Sequence, residues 1–293
     1  MNDVVPARTR IKELEVMVAD VVAETHDTVT LVFFTGNDRL DYKAGHFLTI
    51  DPHQFEALER FTAFLEDLKG KKELPRAYSM VSAPHERYLA VTVKEERYAS
   101  GQTKYPPLLS PLLVKHMARG QRLAVTGFTG PYTLPADIET RTDHLVHLCA
   151  GSGSVPNVSM LKHALQFHPK LRHTFIYSNK TWEDVIFRRT LEELAHQNKD
   201  RLRVVHALTR ETDLGRYAGE VRQGRVSVPL LRELIGDPSS CMVYACGPAI
   251  SSWDRQVARE AGTEPTPRFM ESVLAALKEV GVPNDRVKRE SYG

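Results

Sequence analysis

Cysteine is scarce in this chain: Cys149, Cys241 and Cys246 are its whole complement. Three thiols at irregular spacing give no disulfide framework, no zinc site and no iron–sulfur ligand set. No resident metal is therefore expected, and any one-electron metal partner has to be another chain. Net charge is almost lacking as well, at +2 from 39 basic and 37 acidic residues. The basic residues are scattered, not gathered into an arm or stripe interleaved with aromatics, which argues against a nucleic-acid partner. Apolar runs are short: Leu31 to Phe34 is typical, far below the ~18 residues of a membrane-span candidate. The opening stretch Met1 to Arg10 has neither an apolar signal core nor a clear transit pattern, so a cytoplasmic protein is expected. Internal repeats and low-complexity segments are absent too. What remains is a globular composition, 42% hydrophobic and 26% charged, in 293 residues, a length that suits two domains each with its own core.

From Lys12 to Ile50 the chain reads as short β segments, Glu15 to Val22, Thr28 to Phe34 and Phe47 to Ile50, with a turn at Ala44-Gly45-His46. Such runs between polar turns predict an antiparallel barrel. Residues 52–75 interrupt it. Phe55, Leu58, Phe61, Leu65 and Leu68 recur at helical spacing among charged residues and predict an amphipathic helix ending near Gly70, either a cover over the barrel or a docking helix. Pro75 then leads into Arg76-Ala77-Tyr78-Ser79-Met80, an extended segment with Arg76 and Tyr78 on one face. An arginine two residues from an aromatic ring can grip a phosphate while the ring stacks on a flat heterocycle; an ordinary edge strand is the plainer reading. A strand through Ala90 to Lys94 follows, then Ser110 as a helix cap whose helix start offers N–H groups to a second phosphate. Arg122 to Val125 is read as a strand, and Gly127 to Pro135 as a turn-rich exit from the barrel.

Beyond Glu139 to Asp143 strands and helices alternate, as an α/β sheet requires. The segment Leu145 to Met160 reads as strand, tight turn and helix. Gly151 and Gly153 let the backbone approach a diphosphate, and Pro156 suits the first helical turn, whose free N–H groups favour negative charge. A strand-to-helix turn without ligand is the competing reading. Later strands are predicted at Thr174 to Tyr177, Arg203 to Leu208 and Met242 to Ala245, ending in Ser178-Asn179-Lys180, Thr209-Arg210-Glu211 and Cys246-Gly247-Pro248. One helix is predicted through Leu194 with Trp182, Val185, Phe187 and Leu191 on it, others over Leu230 to Leu234 and Glu271 to Val280. Ligands of such sheets bind beyond the carboxyl ends of the strands, so these strand-end motifs should share one crevice.

Arg76-x-Tyr78-Ser79, Ser110-x-x-Leu113, Gly127 to Leu134, Gly151-Ser-Gly-Ser-Val-Pro156 and Cys246-Gly-Pro248, in this order over nearly the whole chain, resemble the ferredoxin–NADP reductase superfamily. The resemblance implies a flavoprotein oxidoreductase without a fused ferredoxin domain. Its two domains would be an FAD-binding antiparallel β-barrel over residues 1–140 and a Rossmann-like parallel α/β domain for NAD(P) over residues 141–293. It further implies an enzyme that takes a hydride from NADPH onto FAD and passes single electrons to a separate carrier, a ferredoxin, a flavodoxin or an oxygenase component. A reductase of a small molecule or free flavin is the alternative among enzymes, and a non-catalytic flavin-binding electron-transfer subunit the alternative outside them.

By the same resemblance Arg76 and Ser110 hold the FAD diphosphate, Ala77 lies between the contact residues, Tyr78 stacks on the isoalloxazine and Ser79 bonds near its N5. Val91 and Val93 run along the flavin nucleotide with Lys94 beside it, although Lys94 also reads as a solvated strand end. Gly151, Gly153, Pro156, Thr209, Gly247 and Pro248 line the nicotinamide nucleotide, and Cys246 shapes stacking at the transfer point. Glu290 and Tyr292 resemble a terminal motif whose ring covers the flavin, although Gly293 follows the tyrosine and a loose tail is the bland reading. Lys180, Arg210 and Arg225 fall where a 2′-phosphate would be read, and Ser178-Asn179-Lys180 lacks the acidic ribose ligand usual for NAD, so NADPH is expected ahead of NADH.

Overall fold

A computed structural model describes residues 13–36, 40–99, 103–217 and 219–292; Met1 to Arg10 and Gly293 lie outside them. The chain packs as two units, one taking in the residues up to Ala23 and Asp27–Thr133, the other Glu24–His26 and everything from Leu134 onward.

The first unit is built on six strands: β1 (Leu14–Thr25), β2 (Thr28–Phe34), β3 (Phe47–Ile50), β4 (Arg76–Ser79), β5 (Leu89–Lys94) and β6 (Arg122–Thr129). They pair in the order β4-β3-β6-β1-β2-β5, with β3–β4, β3–β6, β1–β6 and β2–β5 antiparallel. A bridge between Met80 and Val91, with Val81 N–H donating to Ala90 O at 2.9 Å, brings the two end strands together and closes the barrel. Period-two alternation is the cause: Leu14, Val16 and Val18 point in with Leu31, Phe33, Leu48, Ile50, Val91, Val93 and Val125. Each such fully buried side chain contributes about 1.5–3 kcal/mol.

Residues 52–75 fold as two 3₁₀ turns, Pro52–Gln54 and Glu56–Leu58, and then α1 (Glu59–Lys69). Gly70 ends α1 in the left-handed region at φ 64°, its N–H returning to the last turn. The packed face is narrower than its spacing suggests. Leu65 is fully buried, and Phe55 and Leu58 lie against the barrel core, but Leu68 and Phe64 are each 55% exposed. A short α2 (Ser110–Lys115) follows. Leu109, not Ser110, occupies its capping position, and the Ser110 hydroxyl instead accepts Glu96 N–H at 3.1 Å and donates to the Glu96 carboxylate at 3.2 Å.

In the second unit α3 (Ile138–Arg141) precedes β7 (His144–Ala150), α4 (Ser154–Phe167), β8 (Arg172–Asn179), α5 (Arg188–Gln197), β9 (Leu202–Leu208) and β10 (Glu220–Gln223). Then come α6 (Val228–Ile235), β11 (Met242–Pro248), α7 (Ser252–Glu260), α8 (Phe269–Val280) and β12 (Val287–Tyr292). The strands form one parallel sheet in the order β10-β9-β8-β7-β11-β12. Near-continuous burial of β7, β8 and β11 is what a sheet covered on both faces demands.

The helix expected to carry Trp182, Val185 and Phe187 is broken. Trp182–Asp184 is a 3₁₀ turn, fixed because Thr181 N–H and hydroxyl both donate to Asp184, and Phe187 stands at φ 60° before α5 begins. The buried side chains of Trp182, Val185 and Phe187 therefore reach the core from a loop. The motif Cys246-Gly247-Pro248 lies within β11 and not beyond it.

Candidate functional site

In the barrel, β4 lies between β3 and the bridge to Val91, which fixes the alternation of the Arg76 motif. Arg76 and Tyr78 are half-buried, Ala77 is exposed and Ser79 is 6% exposed. The Tyr78 hydroxyl is held neutral, its pKa raised by burial and then by the Glu96 charge. The Arg76 guanidinium pairs with Glu73 and donates to Leu74 O at 2.8 Å, which leaves its remaining N–H groups free to meet an anion. Four further expected contact residues, Val91, Val93, Lys94 and Ser110, have partners of their own within the barrel unit. Val91 and Val93 are 0% and 1% exposed, their side chains packed in the barrel core. The Lys94 ammonium, about a third exposed, pairs with Asp27 at 2.7 and 2.8 Å. The Ser110 hydroxyl is occupied by Glu96.

In the parallel sheet the chain turns from β7 toward β8 on one side, while β11 and β12 lie on the other, so the crevice between the carboxyl ends of β7 and β11 is the topological switch point. Gly151–Gly153 forms a 3₁₀ turn there and α4 starts without a side-chain cap, with Pro156 in its first turn. First-turn N–H groups are thus directed at the crevice, where an anion is favoured. Close approach explains Gly153: a Cβ there would meet Cys246 O at 2.1 Å and Gly247 Cα at 2.9 Å. Gly247 is confined as well, by the Phe269 side chain, whose ring a Cβ would meet at 2.6 Å. Gly151 O is anchored by the hydroxyls of Ser154 and Tyr177, each at 2.9 Å. Those two bonds fix the turn whether or not a ligand is bound.

Lys180, Arg210 and Arg225 follow β8, β9 and β10, three neighbouring strands, and all are exposed. Arg210 N–H donates to Lys180 O at 2.8 Å and Gly224 N–H to Leu208 O at 2.8 Å, which ties the three strand ends side by side. Thr209, also exposed, donates to Asn179 O at 3.4 Å. The nearest acidic side chain in sequence, Glu211, accepts Trp182 N–H at 2.9 Å and pairs with Arg216 at 3.2 Å, which keeps it off those cations.

The chain end is part of the sheet through Tyr292. Strand β12 pairs in parallel with β11, setting Glu290 opposite Cys246 and Tyr292 opposite Pro248, and Tyr292 OH donates to Glu290 at 3.4 Å. The Cys246 thiol is completely buried and its pKa is pushed far above the ordinary range, first by burial and then by the Glu290 charge. It stays a thiol that packs and is no thiolate nucleophile. Cys149 and Cys241 are likewise buried and free. Among the described residues no cluster of three or more His, Cys, Asp or Glu could hold a metal ion. No helix of the described residues is long and apolar enough to cross a membrane.

Residues 148–251 match the oxidoreductase NAD-binding domain family. The ferredoxin reductase component of a 3-ketosteroid-9-alpha-monooxygenase from Mycobacterium tuberculosis is 34% identical over 292 residues, 95% of this chain and 65% of that protein. Over nearly its whole length the chain is thus similar to a ferredoxin reductase component. Solved folds agree. The FAD/NAD-binding domain of a nitric oxide dioxygenase from Vibrio cholerae superposes with a TM-score of 0.70 over 97% of this chain and all of that one, at 21% identity. A ferredoxin–NADP⁺ reductase from Plasmodium falciparum gives 0.65 over 96% of each chain at 17% identity. The chain spans just under two thirds of the length of the curated relative it matches. Sequence reasoning overlooked two residues at its sites. Glu73, which pairs with Arg76, could have been found by the i, i+3 spacing of opposite charges. Phe269, which closes on Gly247, comes from a distant helix and has no local signal.

Proposed function

We propose that this chain is an FAD-dependent NAD(P)H oxidoreductase that hands electrons singly to a separate carrier, a ferredoxin, a flavodoxin or an oxygenase component, in the cytoplasm. The observation that carries the reading is the switch-point cradle, where Gly151–Gly153 and the start of α4 abut Cys246-Gly247 of β11. Bound flavin would supply two-electron uptake from reduced nicotinamide and the one-electron release that a carrier requires. In this reading Arg76 grips the flavin diphosphate, Tyr78 covers its ring system and Ser79 donates toward its reactive nitrogen. Gly151, Gly153, Pro156, Thr209, Gly247 and Pro248 cradle the nicotinamide nucleotide. Lys180, Arg210 and Arg225 read a 2′-phosphate, which favours NADPH. Cys246, Glu290 and Tyr292 shape the nicotinamide end of the crevice, the thiol by its bulk. The relative's name, a ferredoxin reductase component of a monooxygenase, supports a separate redox partner.

The test is the absorption spectrum of the purified protein reconstituted with FAD and then mixed with NADPH under argon. The reading requires bound flavin that bleaches on NADPH addition and recovers when an iron–sulfur or flavin carrier is supplied. Protein that retains no FAD, or FAD that NADPH does not bleach, refutes it.

A further inference from the structure

Glu73 is the most buried carboxylate of the 52–75 insertion, at 5% exposure, and it is placed directly before the arginine motif. One of its oxygens pairs with Lys69 and the other with the Arg76 guanidinium. Its own N–H donates to Glu66 Oε1 at 2.8 Å, and that same oxygen meets His53 Nε2 at 2.9 Å. The other ring nitrogen of His53 lies 2.6 Å from Asp51, the first residue after β3. A continuous polar chain thus runs from Asp51 through His53, Glu66 and Glu73 to Arg76. A solvated surface helix needs no such chain.

We infer that Glu73 is a positioning residue for the flavin diphosphate: it holds the Arg76 guanidinium in place so that the free N–H groups face the anion. The inference rests on the proposed flavin site. A guanidinium can serve both partners, because its several donors lie in one rigid plane and a carboxylate on one edge leaves the others open. Lys69, paired with the other oxygen, shares the single negative charge of the carboxylate, so that Glu73 steers Arg76 without cancelling its positive charge. The insertion would then be a strut that orders a flexible arginine before the ligand arrives, which reduces the entropy lost on binding. An undirected arginine, by contrast, would have to order both itself and the cofactor.

The experiment is a double-mutant cycle on apo-protein, with FAD affinity read by quenching of flavin fluorescence in Glu73→Gln, Arg76→Ala and the combined variant. Expected is an FAD Kd raised about tenfold by Glu73→Gln in the wild-type background and unchanged by it in the Arg76→Ala background. Glu73→Asp, which keeps the charge, is expected to restore most of the loss, and it also serves if Glu73→Gln does not fold. Wild-type Kd in Glu73→Gln, equal losses in both backgrounds, or no recovery in Glu73→Asp would each overturn the inference. Wild-type protein that binds no FAD would instead overturn the proposed function, and this inference with it.

Discussion

Acidification from pH 7.5 to 5.5 is expected to remove about 5 kcal/mol from the stability of the parallel-sheet unit, a large part of the 5–15 kcal/mol typical of a folded protein. The cause is four histidines buried in neighbouring strands: His144, His147, His173 and His206, each at most 4% exposed. Burial pushes His144 and His206 down to about 4, the first helped by Arg172 and the second by Arg188. His147 and His173 face each other at 3.3 Å and burial holds both well below the usual range. In the unfolded chain the same rings titrate near 6.5. Below that pH the unfolded state binds more protons than the folded one, so stability is fully present above 6.5 and is lost as pH falls. Each ring costs about 1.4 kcal/mol per pH unit in that interval. His53, in the barrel unit, has the opposite sign: Asp51 and Glu66 raise its pKa, so its contribution is present at low pH and lost as pH rises through the raised value.

Both tryptophans, Trp182 and Trp253, lie in the parallel-sheet unit, so urea unfolding followed by tryptophan fluorescence isolates it. The midpoint should fall steeply between pH 7.5 and 5.5, and His206→Phe should flatten that slope by about a quarter, since one ring of four no longer titrates. A midpoint that is level across the interval, or a His206→Phe slope equal to wild type, would refute the reasoning.

Four further outcomes are expected. Arg210→Ala should raise KM for NADPH and leave KM for NADH unchanged; equal effects on both would remove Arg210 from the 2′-phosphate. Gly153→Ala should destabilise the parallel-sheet unit by about 3 kcal/mol in urea unfolding, because backbone of β11 occupies the space of its methyl group. Cys246→Ala should slow flavin reduction in stopped flow while the protein keeps its fold and its FAD, and an unchanged rate would make the thiol mere packing. Removing Tyr292 and Gly293 should tighten nicotinamide binding, seen as a lower Kd by titration calorimetry, if the ring competes for the same face; an unchanged Kd excludes that competition.

The order of elements was legible because local pattern determines it. Alternation in Leu14 to Val18 and the β-branched and aromatic run Thr28 to Phe34 both favour strands, and glycines after an apolar run mark the β7–α4 turn. The motif residues stand out in the sequence for a related reason: an anion site would need backbone freedom and charge, which residue type alone conveys. What sequence could not convey was which partners those charges already have. Lys94 was readable as a cation but not as Asp27's partner, Ser110 as a hydroxyl but not as bound to Glu96, and Arg76 as a phosphate grip but not as Glu73's ward. Strand β12 carries mostly polar residues and acquires its conformation only by pairing with β11, so no periodicity announces it. The break before α5 was hidden in the same way, since Trp182, Val185 and Phe187 fit a helical spacing that the Thr181–Asp184 bonds override. Local sequence determined what each segment can be, while the pairing of charges and edges across tens of residues, a property of distance in space, decided what each side chain is free to do.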